Sequence, residues 1–307
     1  MTGSSASRAE RIAALGYDYA SQPKDAVTAC NLCGASTFVI LTHRDRYGYP
    51  AEAHACTRCG LVFLNPRMTA DAYGRFYDGV YRPLVSAFHG RLIDARTIQA
   101  EQREYAAERA AFIQPFVAGR AFRSMLDIGG STGVVAHHFA REFGLQGTLI
   151  DPAPLEVEEA RHFGLETITG LVERHDFGGR RFDAVIVCQT VDHLLDVRGT
   201  LARVRQLLTE DGILLVDIVD FRAAYLRHRS VDAAVKIDHP YYLTEATMSA
   251  YLAATGFDIA RADYAADRLH VGYVCRPAAP RPDALPAPAS AMEMLREIRY
   301  VQNAPQP

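Results

Sequence analysis

The chain has 307 residues, 49% hydrophobic and 22% charged, enough for one full core plus a small module and ordinary for a globular protein. Its 33 basic and 36 acidic residues leave a formal charge of −3 without long runs of either sign, which argues against an extended nucleic-acid or acidic-lipid surface but leaves room for a local basic patch. No apolar run reaches the ~18 residues of a membrane span, and residues 1–20 lack a basic start followed by an apolar segment, so the expected compartment is cytoplasmic.

After a Ser-rich start expected to be disordered, residues 7–19 are a candidate amphipathic helix with Ile12, Leu15 and Tyr19 on one side. Then come Cys30-x-x-Cys33-Gly34 and Cys56-x-x-Cys59-Gly60, separated by 22 residues. In a cytosolic chain, paired Cys-x-x-Cys motifs read as metal ligands and not as disulfides. Each glycine lets the backbone turn beneath two thiolates, and the two knuckles together supply a tetrahedral sulfur site for Zn²⁺. Four thiolates leave no open coordination position, so the metal is expected to be structural and to supply most of the folding free energy of a ribbon at residues 28–68. Arg44, Arg46, Arg58 and Arg67 with Tyr47 and Tyr49 keep a nucleic-acid reading of the ribbon open; Asp45, Glu52 and the lack of a following basic helix oppose it.

Residues 61–66 close the ribbon as a strand, and Thr69 can cap a helix running through Phe76. From 84 to 117 apolar residues recur at helical spacing (Leu84, Phe88, Leu92, Ile98, Tyr105, Phe112), which predicts one or two linking helices. The aromatic, glycine-hinged stretch Phe76-Tyr77-Asp78-Gly79-Val80-Tyr81 reads either as part of that packed linker or as a lid.

From Phe122 strands and helices alternate: strands at 122–128, 147–150, 166–169, 182–187 and 212–218, with helices at 132–143, 155–163 and 197–208 between them. This predicts an α/β fold, a doubly wound, mostly parallel sheet, in which ligands bind beyond the carboxyl ends of the strands. The ends in question are 127–133, Asp151, 170–173 and 189–193. Gly129, Gly130 and Gly133 let a ligand lie against the main chain at a helix N-terminus. A dinucleotide fingerprint fails, since the third and sixth places counted from Gly129 are Ser131 and Val134. Asp151, 22 positions after Gly129, can accept both hydroxyls of a ribose or cap a helix beside Pro152.

Asp127, Gly129 and Gly133 resemble the first motif of class I S-adenosylmethionine-dependent methyltransferases, an acidic residue followed by Gly-x-Gly-x-Gly, with Ser131 in place of the middle glycine. The segments 182–189, Asp192-His193, Leu207-Leu208-x-x-Asp211-Gly212, the helix 243–254, and strands near 257 and 269–275 are similar to that family's later elements in the same order. The resemblance spans about residues 122–275 and implies a seven-stranded sheet. It also implies S-adenosylmethionine on Asp127, Gly129, Gly130 and Gly133, with Asp151 on the ribose, Leu171 and Val172 near the adenine, and Gln189 nearby. With the two Cys-x-x-Cys pairs and Tyr77-x-x-x-Tyr81, the chain further resembles zinc-containing nucleotide-sugar C-methyltransferases of antibiotic deoxysugar pathways. Their Tyr-x-Glu-His motif corresponds here to Lys236-Ile237-Asp238-His239, and their further C-terminal domain to a proline-rich tail with a last helix near 292–300. The implied organisation is an N-terminal segment (1–27), zinc ribbon (28–68), helical linker or lid (69–120), methyltransferase domain (121–276) and tail (277–307).

Methyl transfer from a sulfonium is an in-line displacement that needs donor and acceptor aligned, water excluded and, for a hydroxyl or carbon acid, a proton removed. His239 beside Asp238 is the expected base, since a carboxylate favours the charged imidazole and can orient it; His193 is the rival. Lys236 binds an anionic group of the acceptor or is merely solvated. The expected function is methylation of a small molecule, a nucleotide-sugar or natural-product intermediate. An RNA methyltransferase that reads RNA with the ribbon and a non-catalytic cofactor-binding protein are the alternatives. Oxygen, nitrogen and carbon acceptors stay open, as does the number of subunits.

Overall fold

The computed structural model describes residues 6–303, apart from the side chains of Ala95 and Arg96. The Ser-rich positions before residue 6 and the end of the tail after 303 lie outside the described residues. The first helix, α1 (Arg8–Ala13), opens with a capping box between Ser7 and Glu10 and is shorter than the spacing predicts, because the chain turns at Gly16 with a φ of 62°. Short strands follow: β1 (Lys24–Asp25), β2 (Phe38–Thr42), β3 (Ala53–Cys56), β4 (Val62–Leu64) and β5 (Arg67–Met68). Three helices then lead to the core: α2 (Ala70–Gly79), capped by Thr69, α3 (Tyr81–His89) and α4 (Ala95–Val117).

The alternating pattern after residue 122 folds as its periodicity predicts. In order come β6 (Ser124–Ile128), α5 (Val134–Phe143), β7 (Gln146–Asp151), α6 (Pro154–Arg161), β8 (Glu166–Thr169), β9 (Phe182–Val187), α7 (Val197–Leu207) and β10 (Leu208–Val219). The helix α8 (Phe221–His228) and the two-residue strand β11 (Tyr241–Tyr242), neither expected from sequence, precede α9 (Glu245–Ala254), β12 (Phe257–Tyr264), β13 (His270–Pro277) and α10 (Pro288–Asn303). The seven-stranded sheet runs β12-β13-β10-β9-β6-β7-β8, with β13 antiparallel to both of its neighbours and the other pairings parallel. Chain order reverses on either side of β6, which opens the crevice for a ligand at its carboxyl end. Among the described residues no helix is long and apolar enough to cross a membrane.

The Cys-rich segment is built into this body. Its sheet runs β11-β4-β3-β2, so the strand that completes it comes from the loop after β10. Tyr241 pairs with Phe63, Tyr242 pairs with Val62, and the Leu64 amide donates to the Pro240 carbonyl at 3.0 Å. The first knuckle docks through Asn31, whose amide donates to Asp196 at 2.8 Å and whose oxygen accepts from Tyr251 at 2.9 Å. Cys30, Leu32, Leu61 and Phe63 share one apolar cluster with Leu243, Tyr251 and Leu214 of the larger sheet.

On the other side of β10 a buried ion pair fastens α4. Arg109 Nε donates to Asp217 Oδ2 at 3.2 Å, Tyr105 donates to the same oxygen, and Oδ1 accepts from the Gln189 amide at 2.6 Å. The side chains of Arg109 and Asp217 are only 2% and 0% exposed, so removing the cation strands a buried carboxylate. Arg109→Met is expected to cost about 3–5 kcal/mol of unfolding free energy in urea titrations; a loss below about 1 kcal/mol would show that the pair adds nothing.

Candidate active site

At the carboxyl end of β6 the backbone turns tightly. Gly129 and Gly133 have φ values of 71° and 80°, and Gly133 caps α5, so the helix begins after it and not at residue 132. Packing forbids side chains here. A Cβ on Gly129 would lie 2.4 Å from Thr190 Cγ2, on Gly130 2.6 Å from Asp127 Oδ2, and on Gly133 2.8 Å from Ala160 Cβ. Asp127 is 2% exposed, and its Oδ2 has no hydrogen-bond partner among the described residues. Burial, then the nearby Asp151, pushes its carboxyl up to about 7. A buried acceptor without a donor beside a side-chain-free turn is what a bound cofactor with N–H groups would complete.

Ser131, at the place of the family's middle glycine, adopts a φ of 51°. Its amide donates to Asp151 Oδ2 at 3.0 Å and its hydroxyl to Glu156 Oε2 at 2.6 Å. Asp151 Oδ1 accepts from the amide of Ala153, the residue that precedes α6, at 2.8 Å, the helix itself starts without a side-chain cap, and each oxygen keeps a second lone pair for a ligand. Glu156 in turn meets Arg82 of α3 at 2.9 Å, which links the turn to the helices over it. The single sequence gave no signal for Glu156 or Arg82. Beyond β8, Leu171 is 41% exposed, whereas Val172 is 2% exposed and packed in the core, so only Leu171 offers its side chain to a ligand. Gln189, exposed, holds a φ of 51° at the end of β9.

Across the crevice stand His193, Asp238 and His239. His193 ends a 3₁₀ turn (Val191–His193) after β9. Its ring lies 4.5 Å from that of His239, edge to face. His193 Nδ1 is 3.0 Å from the Asp238 carbonyl and 2.7 Å from the Tyr77 hydroxyl, which donates to the same carbonyl at 2.8 Å. His239 is 7% exposed, and its Nε2 lies 3.2 Å from Lys236 Nζ and 3.4 Å from Asp238 Oδ2. The expectation that Asp238 would favour a charged His239 is reversed: burial, then Lys236, His193 and Arg46, hold its pKa well below the usual histidine value. Tyr77 and Tyr81, the aromatic stretch read as linker or lid, pack edge to face beside His193.

The ribbon holds this segment in place. The Arg46 amide donates to the Val235 carbonyl at 2.8 Å, and Asp45 Oδ2 accepts from the Ile237 amide at 3.1 Å. Ligand atoms of His193, Asp238 and His239 fall within 4.8 Å of one another, and Lys236 Nζ lies beside them, 3.2 Å from His239 Nε2. The four cysteine sulfurs likewise lie within 4.8 Å, with Cys30 to Cys59 and Cys33 to Cys56 at 3.5 Å. Tetrahedral thiolates at ~2.3 Å from zinc would be roughly 3.8 Å apart, so the donor set fits that ion. Cavities of about 540 Å³ beside α4 and β12, and about 390 Å³ between α9 and α10, border neither the glycine turn nor the histidine pair.

Residues 98–262 match a family model described as a methyltransferase domain. A ubiquinone biosynthesis O-methyltransferase of Rhodopseudomonas palustris is 32% identical over 98 residues, 30% of this chain and 38% of that protein. One from Azorhizobium caulinodans is 26% identical over 149 residues, 44% of this chain and 58% of its own length. The chain thus spans less than two thirds of these curated relatives. The structure of a mitomycin 7-O-methyltransferase superposes with a TM-score of 0.51 at 20% identity, covering 67% of this chain and 60% of the other, a likeness of fold.

The buried Asp127 carboxyl generates a test whose sign is fixed. Its pKa rises from 3.8 in the unfolded chain to about 7 in the folded one, so its ionisation opposes folding as pH climbs between those values. Below pH 4 it is protonated in both states and contributes nothing. Asp127→Asn should therefore unfold with the wild type at pH 4 but at a higher temperature at pH 8, where the relief is on the order of 4 kcal/mol. Equal midpoints at pH 8 would contradict the burial argument.

Proposed function

The chain belongs to the methyltransferase-domain family, and from that premise we propose that it is an S-adenosylmethionine-dependent enzyme that methylates a small molecule held between the glycine turn and the segment 235–242. The observation that carries this reading is the convergence of His193, His239, Lys236 and Tyr77 opposite the turn, partly buried and a few side chains wide. In this proposal Asp127, Gly129, Gly130 and Gly133 cradle the amino-acid end of the cofactor, Asp151 accepts from the ribose, and Leu171 and Gln189 border the base. The cofactor supplies an electrophilic methyl group. The protein's own groups align the acceptor, exclude water and take its proton on a histidine.

A nucleotide-sugar or other anionic natural-product intermediate is the finer reading. Lys236, Arg46 and Arg82 surround the crevice, and Arg46 Nε is buried without a partner among the described residues, which suits a phosphate or carboxylate. Both C- and O-methylation remain compatible with two histidines as bases. RNA is the weaker reading, because the formal charge is −3 and the ribbon's β4 edge is covered by β11. The four cysteines are proposed to hold one structural zinc, remote from the transferred methyl, and their free thiols fit a reducing cytoplasm.

Three measurements test this reading. Incubation with methyl-labelled S-adenosylmethionine and a panel of nucleotide-sugars and natural-product scaffolds should place the label on a small molecule by mass spectrometry; label found only in RNA would overturn the acceptor class. Asp151→Ala should weaken cofactor binding at least tenfold by calorimetry, consistent with ~1.5–3 kcal/mol for a charge-assisted hydrogen bond; unchanged affinity would remove Asp151 from the site. Elemental analysis should find one zinc per chain, and a zinc-free native protein would sink the metal assignment.

A further inference from the structure

The geometry points to Lys236 as a positioning residue that decides which histidine takes the acceptor's proton: seated against Nε2 of His239, it leaves Nε2 of His193 as the base. The inference rests on the methyl-transfer reading above but is argued from donors and acceptors alone.

A neutral imidazole has one N–H and one lone pair, and a proton can be accepted only at a free lone pair. An ammonium has donors and no acceptor. Lys236 Nζ at 3.2 Å therefore makes His239 Nε2 the acceptor, which puts that ring's proton on Nδ1 and engages its only lone pair. The rival partner of the same nitrogen, Asp238 Oδ2, lies at 3.4 Å, beyond the usual range for an N–H to oxygen hydrogen bond. His193 is wired the other way. Its Nδ1 is 3.0 Å from the Asp238 carbonyl, which can only accept, so Nδ1 carries the proton and Nε2 is bare. Tyr77 reinforces that choice by donating to the same carbonyl.

The surrounding charges favour the same arrangement. Burial, the largest influence, and Arg46 lower the Lys236 pKa, while Asp238 and Asp192 support its ammonium form. Lys236, His193, Arg46 and His270 all disfavour a charged His239, whereas His193 has Asp238 in its favour against Lys236 and Arg82. In the reaction, the acceptor's proton passes to His193 Nε2 and the freed electron pair bonds to the methyl carbon. The carbon–sulfur pair leaves with the sulfur, giving the demethylated thioether.

Two-bond ¹H–¹⁵N spectra of the full chain labelled at histidine, saturated with S-adenosylhomocysteine, read each tautomer without any acceptor. Both His193 and His239 should carry their proton on Nδ1 in the wild type. In Lys236→Met, His239 should revert to the Nε2–H form that free imidazole favours, and its pKa should rise as a like charge is removed; His193 should not change. Lys236→Arg, still a cationic donor, should keep the wild-type pattern. His239 found as Nε2–H in the wild type, or unaltered in Lys236→Met, would overturn the inference, and if the methionine variant does not fold the wild-type spectrum decides. Because no turnover is measured, such a failure leaves the methyl-transfer reading intact; absence of any shift on adding S-adenosylhomocysteine would strike that reading instead.

Discussion

One buried carboxylate ties the Cys-rich segment to the loop that carries Lys236, Asp238 and His239. Asp45 is 3% exposed, and it accepts from the Tyr47 and Tyr49 amides of its own loop at 3.0 and 2.9 Å and from the Ile237 amide at 3.1 Å. Those bonds, with the Arg46 amide on Val235 and the pairing of Tyr241 and Tyr242 with β4, fix the backbone of 235–242. Burial raises the Asp45 pKa to about 7 while its three amide bonds pull it down, so the group sits near the edge of ionisation at neutral pH. Tyr242 adds to the bonds that fix this loop, its hydroxyl accepting from the Lys236 amide at 3.0 Å and donating to the Lys236 carbonyl at 2.6 Å.

In the proposed reading the crevice has one wall for the cofactor and one for the acceptor, and different physics makes each. The wall toward the cofactor is local: a parallel strand, a turn that excludes side chains, and the helix it caps lie within residues 124–143, with Asp151 supplied by the neighbouring strand. The wall toward the acceptor is assembled from far apart in the chain. Tyr77 comes from α2, His193 from the turn after β9, His239 from the loop before β11, and the Cys-rich segment grips the last of these. A metal at the four cysteines would steady β3 and β4 and, through them, the acceptor wall, without touching the reaction. Function on that side rests on a scaffold more than 150 residues away in sequence, as the separation of 192 between Asp45 and Ile237 illustrates.

That division also accounts for what could be read in advance. Periodicity sufficed for β6, β7 and β9, whose apolar runs are buried on both faces, and the glycines announced the turn because no other residue fits Gly129 or Gly133. The paired Cys-x-x-Cys spacing is legible in the sequence, and the four sulfurs do converge. The pairing of β11 with β4 left no trace in local composition, since two tyrosines in a loop have no period, and its register depends on Val62 and Phe63, far earlier in the chain. For the same reason the environment of His239 was misjudged. Proximity of Asp238 in sequence suggested a charged imidazole, whereas folding brings Lys236, Arg46 and His193 against it in a buried place. Val172 illustrates a smaller version of the same failure, a loop residue drawn into the core beside Phe177.

The account therefore turns on whether the Asp45 tie governs the acceptor wall independently of the cofactor wall. Hydrogen–deuterium exchange on Asp45→Ala, measured beside S-adenosylmethionine affinity on the same preparation, addresses this directly. Exchange should accelerate at the amides of residues 235–242 and Leu64, with those of 125–128 and the cofactor affinity unchanged. Exchange at 235–242 indistinguishable from the wild type, or a loss of cofactor binding in step with the acceleration, would contradict it.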